Sequence, residues 1–181
     1  MYNIRKGSEA DVEAVAAIYE KIITNEETLG ELTGWKRGIY PTIDDARDMT
    51  EKGELFVLED EGRIMAAGRI NRVQVDVYSK VEWSVDAPDD EVMVLHTLVV
   101  DPDVKGKGYG TAFESFYEEY ALENGCRYLR IDTNKINLPA RALYKKLGYR
   151  EVGIVHCDFN AIRGIDLVCL EKTLTKKEKK S

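Results

Sequence analysis

The sequence predicts one α/β sheet domain, and three observations carry that prediction. Runs rich in β-forming residues alternate with segments of helical apolar spacing along nearly the whole chain. The apolar run Val92–Val100 is stopped by Asp101-Pro102 and leads into a glycine-rich loop, with an amphipathic segment directly behind it. No internal repeat and no Pro/Gly/Ser-rich linker interrupts the order. The expected organisation is therefore a single domain over residues 1–174 with a frayed, charged tail at 175–181.

Tyr2 to Arg5 reads as a short first strand. Ser8 opens a helix, with Asp11 three residues on as a capping-box variant. Val12, Val15, Ala16, Tyr19, Ile22 and Ile23 recur at helical spacing and give it one buried stripe. Thr24 to Tyr40 reads as irregular, with Gly30, Gly34 and Gly38 set among charges. Pro41-Thr42 starts a second helix, Ile43 to Lys52, which Gly53 closes.

Glu54–Asp60 and Arg63–Val73 are two strands joined by the hairpin signature Asp60-Glu61-Gly62. Gln74–Asp90 reads as a long polar insertion carrying Tyr78 and Trp83, of a length that is usually functional or mobile. Val92–Val100 is continuously apolar, which predicts a central strand buried on both faces. Thr111 to Asn124 is a helix with Phe113, Phe116, Tyr117 and Tyr120 on one side and Gly125 at its end. Arg127–Asp132 is another strand. Asn137 caps the next helix, Pro139 sits in its first turn and Gly148 ends it. Tyr149–Cys157 and Ile165–Leu174 read as the last two strands.

Composition excludes several classes of protein. A net charge of −7 argues against nonspecific nucleic-acid binding, which needs a basic face. No run approaches the roughly 18–20 apolar residues of a membrane span, and the N-terminus lacks the apolar core of a signal peptide. Cys126, Cys157 and Cys169 are odd in number and lie in apolar segments. They read as reduced core residues of a cytoplasmic protein, neither a disulfide framework nor a metal site.

The most informative stretch is Val99–Thr111, where Gly106, Gly108 and Gly110 fall at alternate positions. Glycines here let the chain turn sharply, and the following helix start points unpaired N–H groups and a positive dipole end into one concavity. Such a concavity suits a phosphate or pyrophosphate, and Lys105 and Lys107 add formal charge. The spacing is neither the G-x-G-x-x-G of dinucleotide folds nor a P-loop. A plain structural turn is the competing reading of the glycines alone.

Val100-Asp-Pro followed by Lys105-x-x-Gly108-x-Gly110 resembles the acyl-CoA-binding segment of the GCN5-related N-acetyltransferases, Arg/Gln-x-x-Gly-x-Gly/Ala. Lys105 departs from that pattern, keeping the charge and losing the planar fork of arginine. The family's second motif, Asn-x-x-Ala-x-x-Leu-Tyr-x-x-x-Gly-Phe/Tyr, is matched by Asn137, Ala140, Leu143, Tyr144, Gly148 and Tyr149. The resemblance spans essentially the whole chain. It implies a central mixed, mostly antiparallel sheet of six to seven strands flanked by helices, splayed between Val92–Val100 and Arg127–Asp132.

The same resemblance implies acetyl transfer from acetyl-CoA to a primary amine of a small molecule or peptide, without a metal or a covalent intermediate. It places the pyrophosphate on the loop from Lys105, Gly106 and Lys107 through Gly108, Tyr109, Gly110 and Thr111. Leu98, Val99 and Val100 then face the cofactor, with an oxyanion donor at Leu98, and Asn137 meets the pantetheine arm. Tyr144 becomes the general acid for the departing thiolate. On the residues alone, Tyr144 reads first as an amphipathic core tyrosine, and Asn137 as a helix cap, a role compatible with a cofactor contact.

Acyl transfer to an amine also needs a group to take the ammonium proton. His96, two residues before Leu98, is the candidate base, with a buried sheet histidine as the other reading. Glu91, acting through water, is the lesser candidate. Acceptor specificity is expected from Thr24–Tyr40 and Gln74–Asp90, where Trp35, Tyr40, Tyr78 and Trp83 suggest an aromatic wall. Glu27, Glu31, Asp76 or Glu82 are candidates to meet a cation, with solvated loop charges as the competing reading. The alternative function is a non-catalytic acyl-CoA-binding sensor of the same fold, as a monomer or a homodimer.

Overall fold

A computed structural model describes residues 1–175, so the expected tail lies, from Lys176 onward, outside the described residues. Seven strands share one sheet: β1 Asn3–Lys6, β2 Leu55–Asp60, β3 Arg63–Asn71, β4 Val92–Val100, β5 Tyr128–Asn134, β6 Arg150–Phe159 and β7 Ile162–Thr173. Their spatial order is β1-β2-β3-β4-β5-β7-β6. Every neighbouring pair is antiparallel except β4–β5, which is parallel. The helices are α1 Val12–Leu29, α2 Ile43–Glu51, α3 Tyr109–Glu123 and α4 Leu138–Lys146. No helix among the described residues is long and apolar enough to cross a membrane.

The helix starts form as their residues dictate. Ser8 and Asp11 make a reciprocal capping box, and Thr42 and Asp45 make another, with Asp45 Oδ2 accepting from Thr42 N at 2.7 Å. α1 corrects the expectation of an irregular segment from Thr24, because it continues to Leu29. The reason lies in Glu26, which is 9 % exposed and accepts hydrogen bonds from Thr33 N and Oγ1. A carboxylate continues the buried stripe there, so the apolar pattern stops before the helix does.

One face of the sheet is covered by α3 and α4, with Phe113, Tyr117 and Tyr144 packed over Met93, Leu95, Leu129, Ile131 and Leu170. The fully buried aromatics of α3 contribute on the order of 2 kcal/mol each by leaving water. The other face is shared. α1 and α2 cover Leu55, Val57, Ala67 and Val99, whereas the 74–90 segment covers Val92, Val94, Leu167 and Cys169 with Val77 and Tyr78. That segment is thus a packed lid on the sheet rather than a polar insertion, its buried residues brought inward by a 3-10 turn at Asp76–Lys80.

Two irregularities in β4 open the site. Arg69 pairs with His96 and Ala67 with Val99, so Thr97 and Leu98 stand opposite Gly68 alone, and Thr97 takes a left-handed φ of 53°. This bulge reverses the alternation of the strand: Met93 and Leu95 share the helix face with Leu98 and Val100. The parallel pairing of β4 with β5 then ends at Leu95–Ile131, although both strands run on. Without a β5 partner, His96, Thr97 and Leu98 are only half-buried, which corrects the expectation of a strand covered on both faces throughout.

Candidate functional site

On the helix face, Asp101 ends β4 by accepting from Lys21 Nζ at 2.9 Å and from Asp103 N at 3.0 Å. A 3-10 turn, Pro102–Val104, leads into the glycine loop. Gly108, at φ +85°, is the N-cap residue of α3, a conformation that L side chains rarely adopt. No side chain caps α3, and the amides of Tyr109, Gly110 and Thr111 find no acceptor among the described residues. Lys105 and Lys107 are exposed beside them and form no ion pair within the described residues. Free N–H groups, dipole and cations meet at one exposed turn, which suits an anion. Tyr109 contributes its amide only, since its hydroxyl donates to Asp60 at 2.8 Å.

The divergence of β4 from β5 creates a cavity of about 460 Å³ that reaches both faces of the sheet. Leu98, Ile131, Asn137, Ala140 and Tyr144 line it on the helix side. Asn137 serves as the cap of α4, its Oδ1 accepting from Ala140 N at 3.2 Å, so the cap role and a place on the cavity wall coexist. Tyr144 is 5 % exposed and its hydroxyl has no hydrogen-bond partner among the described residues. Burial, with the Glu114 and Asp132 carboxyls nearby, keeps that phenol protonated well above its usual range. Of the remaining expected cofactor contacts, Leu98 and Val100 pack on the helix side, whereas the Val99 side chain turns to the opposite face beneath α1 and α2.

On the opposite side the wall comes from Trp35, Tyr40, Met49, Arg69, Asn71, His96, Thr97 and Asp132. The loop after α1 is drawn over the opening by Asn134, whose Nδ2 donates to Thr33 O at 3.2 Å. Gly34 is required beside it: at φ +75° a side chain is strained, and a Cβ would meet Asn134 Nδ2 at 2.6 Å. Trp35 stands edge-on between Tyr19 and Tyr40, at 6.4 and 6.2 Å, and the Tyr40 hydroxyl hydrogen-bonds Thr97 Oγ1 at the bulge. The hairpin turn at Phe159-Asn160-Ala161 closes the rim.

The expected aromatic wall is half present. Trp35 and Tyr40 face the cavity, but Tyr78 and Trp83 pack against each other at 5.1 Å beneath the 74–90 segment. Neither do Glu27 and Glu31 reach it: Glu27 pairs with Arg37 at 2.9 Å and Glu31 with Lys36. His96 is on the wall, its Nε2 2.9 Å from Asn71 Oδ1. Asn71 Nδ2 donates to Glu54 Oε2 at 3.0 Å, which leaves Oδ1 as the acceptor and assigns the Nε2 proton to the imidazole. Burial first, then Arg69, push the His96 pKa down to about 4. Glu91 lies at the far end of β4 in a 3-10 turn, outside the cavity lining.

Asp132, Arg69, Asn71 and Thr97 are cavity residues that sequence reasoning missed. For Asp132 a signal existed, since alternation along β5 puts its carboxylate on the same face as Arg130 and Tyr128, opposite the apolar Leu129 and Ile131.

These features, a splayed mixed sheet with a glycine turn opening the helix behind the central strand, define an acetyltransferase architecture. Residues 18–149 match the model of the Acetyltransferase (GNAT) family, and the chain belongs to that family. It is 25 % identical over 159 residues to YhfO of Bacillus subtilis, described as an uncharacterized N-acetyltransferase, covering 87 % of this chain and 97 % of that one. Among solved structures, a GNAT-family acetyltransferase of Streptococcus agalactiae superposes with a TM-score of 0.82 at 20 % identity, over 97 % of this chain and 96 % of that one. The yncA protein of Salmonella typhimurium, solved with its cofactor acetyl-CoA, superposes with a TM-score of 0.70 at 18 % identity, over 100 % and 98 % of the two chains. At such identities the structures establish the fold, a GNAT-type seven-stranded mixed sheet flanked by helices.

Proposed function

We propose that the protein transfers the acetyl group of acetyl-CoA directly to a primary amine of a small molecule or peptide. The observation that carries this reading is the cavity through the splay, with a protonated Tyr144 phenol on its wall that has no partner among the described residues, and an anion-suited turn on the same face. The residues fit acetyl-CoA: the Tyr109, Gly110 and Thr111 amides and Lys105 and Lys107 suit the pyrophosphate. Asn137, at the cavity wall, suits the pantetheine amides. The break in the ladder at Leu98 suits an oxyanion donor aimed into the splay.

The acceptor amine enters from the face lined by Trp35 and Tyr40. It must arrive neutral to attack, and the sulfur must leave protonated. Tyr144 suits the second need, because its hydroxyl stays protonated, lines the cavity and has no partner among the described residues to hold its proton. His96 fits the first need poorly. Its Nε2 proton is committed to Asn71, and a pKa near 4 makes it a weak proton acceptor at pH 7.

The test is calorimetric titration with acetyl-CoA, CoA and ATP, followed by thiol release from acetyl-CoA over a panel of primary amines. The expected result is binding of both CoA forms, weaker binding of ATP, and thiol release with at least one amine. Absence of acetyl-CoA binding removes the glycine turn from the site. Binding with no thiol release from any amine turns the reading toward a non-catalytic sensor.

A further inference from the structure

Among the described residues, four ionisable side chains other than tyrosine line the cavity, and three of them are already engaged. Asp45 accepts from Thr42 N and Oγ1 at 2.7 and 2.9 Å as part of the α2 cap. Arg69 donates from Nε to Glu54 at 2.6 Å and lies 3.5 Å from Asp48. His96 is held by Asn71. The fourth is Asp132, at the first β5 residue beyond the point where β4 leaves the ladder. Its Oδ2 accepts from the Tyr78 hydroxyl at 2.8 Å, while Oδ1 accepts nothing from the described residues and opens on the cavity.

We propose that Asp132 Oδ1 receives the ammonium end of the acceptor and takes its proton, making Asp132 the general base, positioned from beneath by Tyr78. This rests on the acetyl-transfer reading above. The location fits: across the β5–β7 pair Asp132 faces Cys169, which places its side chain on the α1–α2 side, opposite Tyr144. Base and acid thus approach the splay from its two faces.

The surroundings are suited to a proton acceptor. The titratable groups facing Asp132 are Tyr78 from the 74–90 lid, Tyr40 from the loop before α2, Tyr144 from α4, Cys157 from β6 and Cys169 from β7. All are neutral at pH 7, and no basic side chain among the described residues pairs with Asp132. Burial therefore lifts its carboxyl to about 6, the Tyr78 hydrogen bond pulling the other way. At pH 7 the group is ionised yet basic enough to accept a proton.

The step balances. An ammonium R–NH₃⁺ gives one proton to Asp132, which passes it to water. The neutral nitrogen attacks the thioester carbon, the N–C bond forms and the C–S bond breaks. Tyr144 gives its proton to the sulfur, and the second proton lost by the nitrogen restores the phenol. The products are the amide, CoA thiol and one released proton.

The experiment compares wild type, Asp132→Asn, Asp132→Glu and Tyr78→Phe, using acetyl-CoA calorimetry and thiol release with the best amine of the panel from pH 5 to 9. Asp132→Asn should bind acetyl-CoA within twofold of wild type and lose about 100-fold or more in kcat/KM at pH 7. Its acid limb near pH 6 should vanish, and Asp132→Glu should restore part of the rate. Tyr78→Phe removes a hydrogen bond that favours the carboxylate, so the limb should move to higher pH. In the cofactor-free protein, carbon-detected NMR of the Asp132 carboxyl should show the same titration and the same upward move in Tyr78→Phe. A retained rate and limb in Asp132→Asn overturns the proposal, and a limb that disappears instead in His96→Gln returns the role to His96. A wild type that binds no acetyl-CoA, or releases no thiol with any amine, overturns the acetyl-transfer reading and this assignment with it.

Discussion

Each face of the sheet buries one carboxyl group against a tyrosine hydroxyl, and the two sites have opposite access to solvent. On the helix face Glu114 is 0 % exposed, its Oε2 accepts from Tyr149 at 2.9 Å, and its Oε1 has no partner among the described residues. On the other face Asp132 accepts from Tyr78 at 2.8 Å and keeps Oδ1 toward the cavity. Burial lifts both, Glu114 to about 7 and Asp132 to about 6. The chemistry is nearly the same; the difference comes from the strands. α3 lies against a continuous stretch of sheet and seals Glu114, whereas β4 departs from β5 one residue before Asp132. A raised carboxyl pKa reports burial, and access decides whether the group has anything to exchange protons with.

The faces also differ in what they offer a ligand: main-chain N–H groups on the helix side, side chains from many segments on the other. The largest expected effect breaks that division at its source. Gly108→Glu forces a side chain into a left-handed conformation and puts a carboxylate among the turn amides. Acetyl-CoA affinity should fall at least about 100-fold by calorimetry with the fold intact by circular dichroism; full retention would show that these amides hold nothing.

Next in size is Tyr144→Phe, which removes only the unpartnered hydroxyl. Here kcat should drop by roughly 10- to 100-fold with acetyl-CoA affinity within twofold. An unchanged kcat would leave Tyr144 as a packing residue against Tyr149, 5.6 Å away.

Glu114→Gln sharpens the comparison from the sealed side and should leave kcat where it is. Its signature is in stability. Native Glu114 holds its proton up to about pH 7, against 4.5 in the unfolded chain, so the native state binds more protons between those values. Wild-type stability should therefore fall as pH rises from about 4.5 to about 7 and level off above, by on the order of 1–3 kcal/mol. Urea unfolding at pH 5 and pH 8 should show that slope reduced in Glu114→Gln. Equal slopes in the two proteins would mean that the carboxyl is not sealed.

Most of the helix face is legible in the sequence. Gly106, Gly108, Asn137 and Gly148 act through backbone angles and caps that depend on residues within one turn, so their spacing announces them. The strands and their order along the chain were legible too, from apolar runs and turn residues. The other face was not. Glu26 ended the apolar stripe but not α1, and the polar look of 74–90 hid Val77 and Tyr78, which only a neighbouring sheet surface can bury.

By itself, then, the sequence determined where the chain turns, which helix start is left uncapped, and the family to which those local patterns belong. Tertiary structure alone decided the bulge at Thr97, the parting of β4 from β5, and which carboxylate of many is left with a free oxygen at the gap. The physical reason is range. Capping and left-handed turns are settled among near neighbours in sequence, but strand pairing joins residues such as Leu95 and Ile131, and an ion pair such as Glu27–Arg37 removes a charge that composition alone leaves in play.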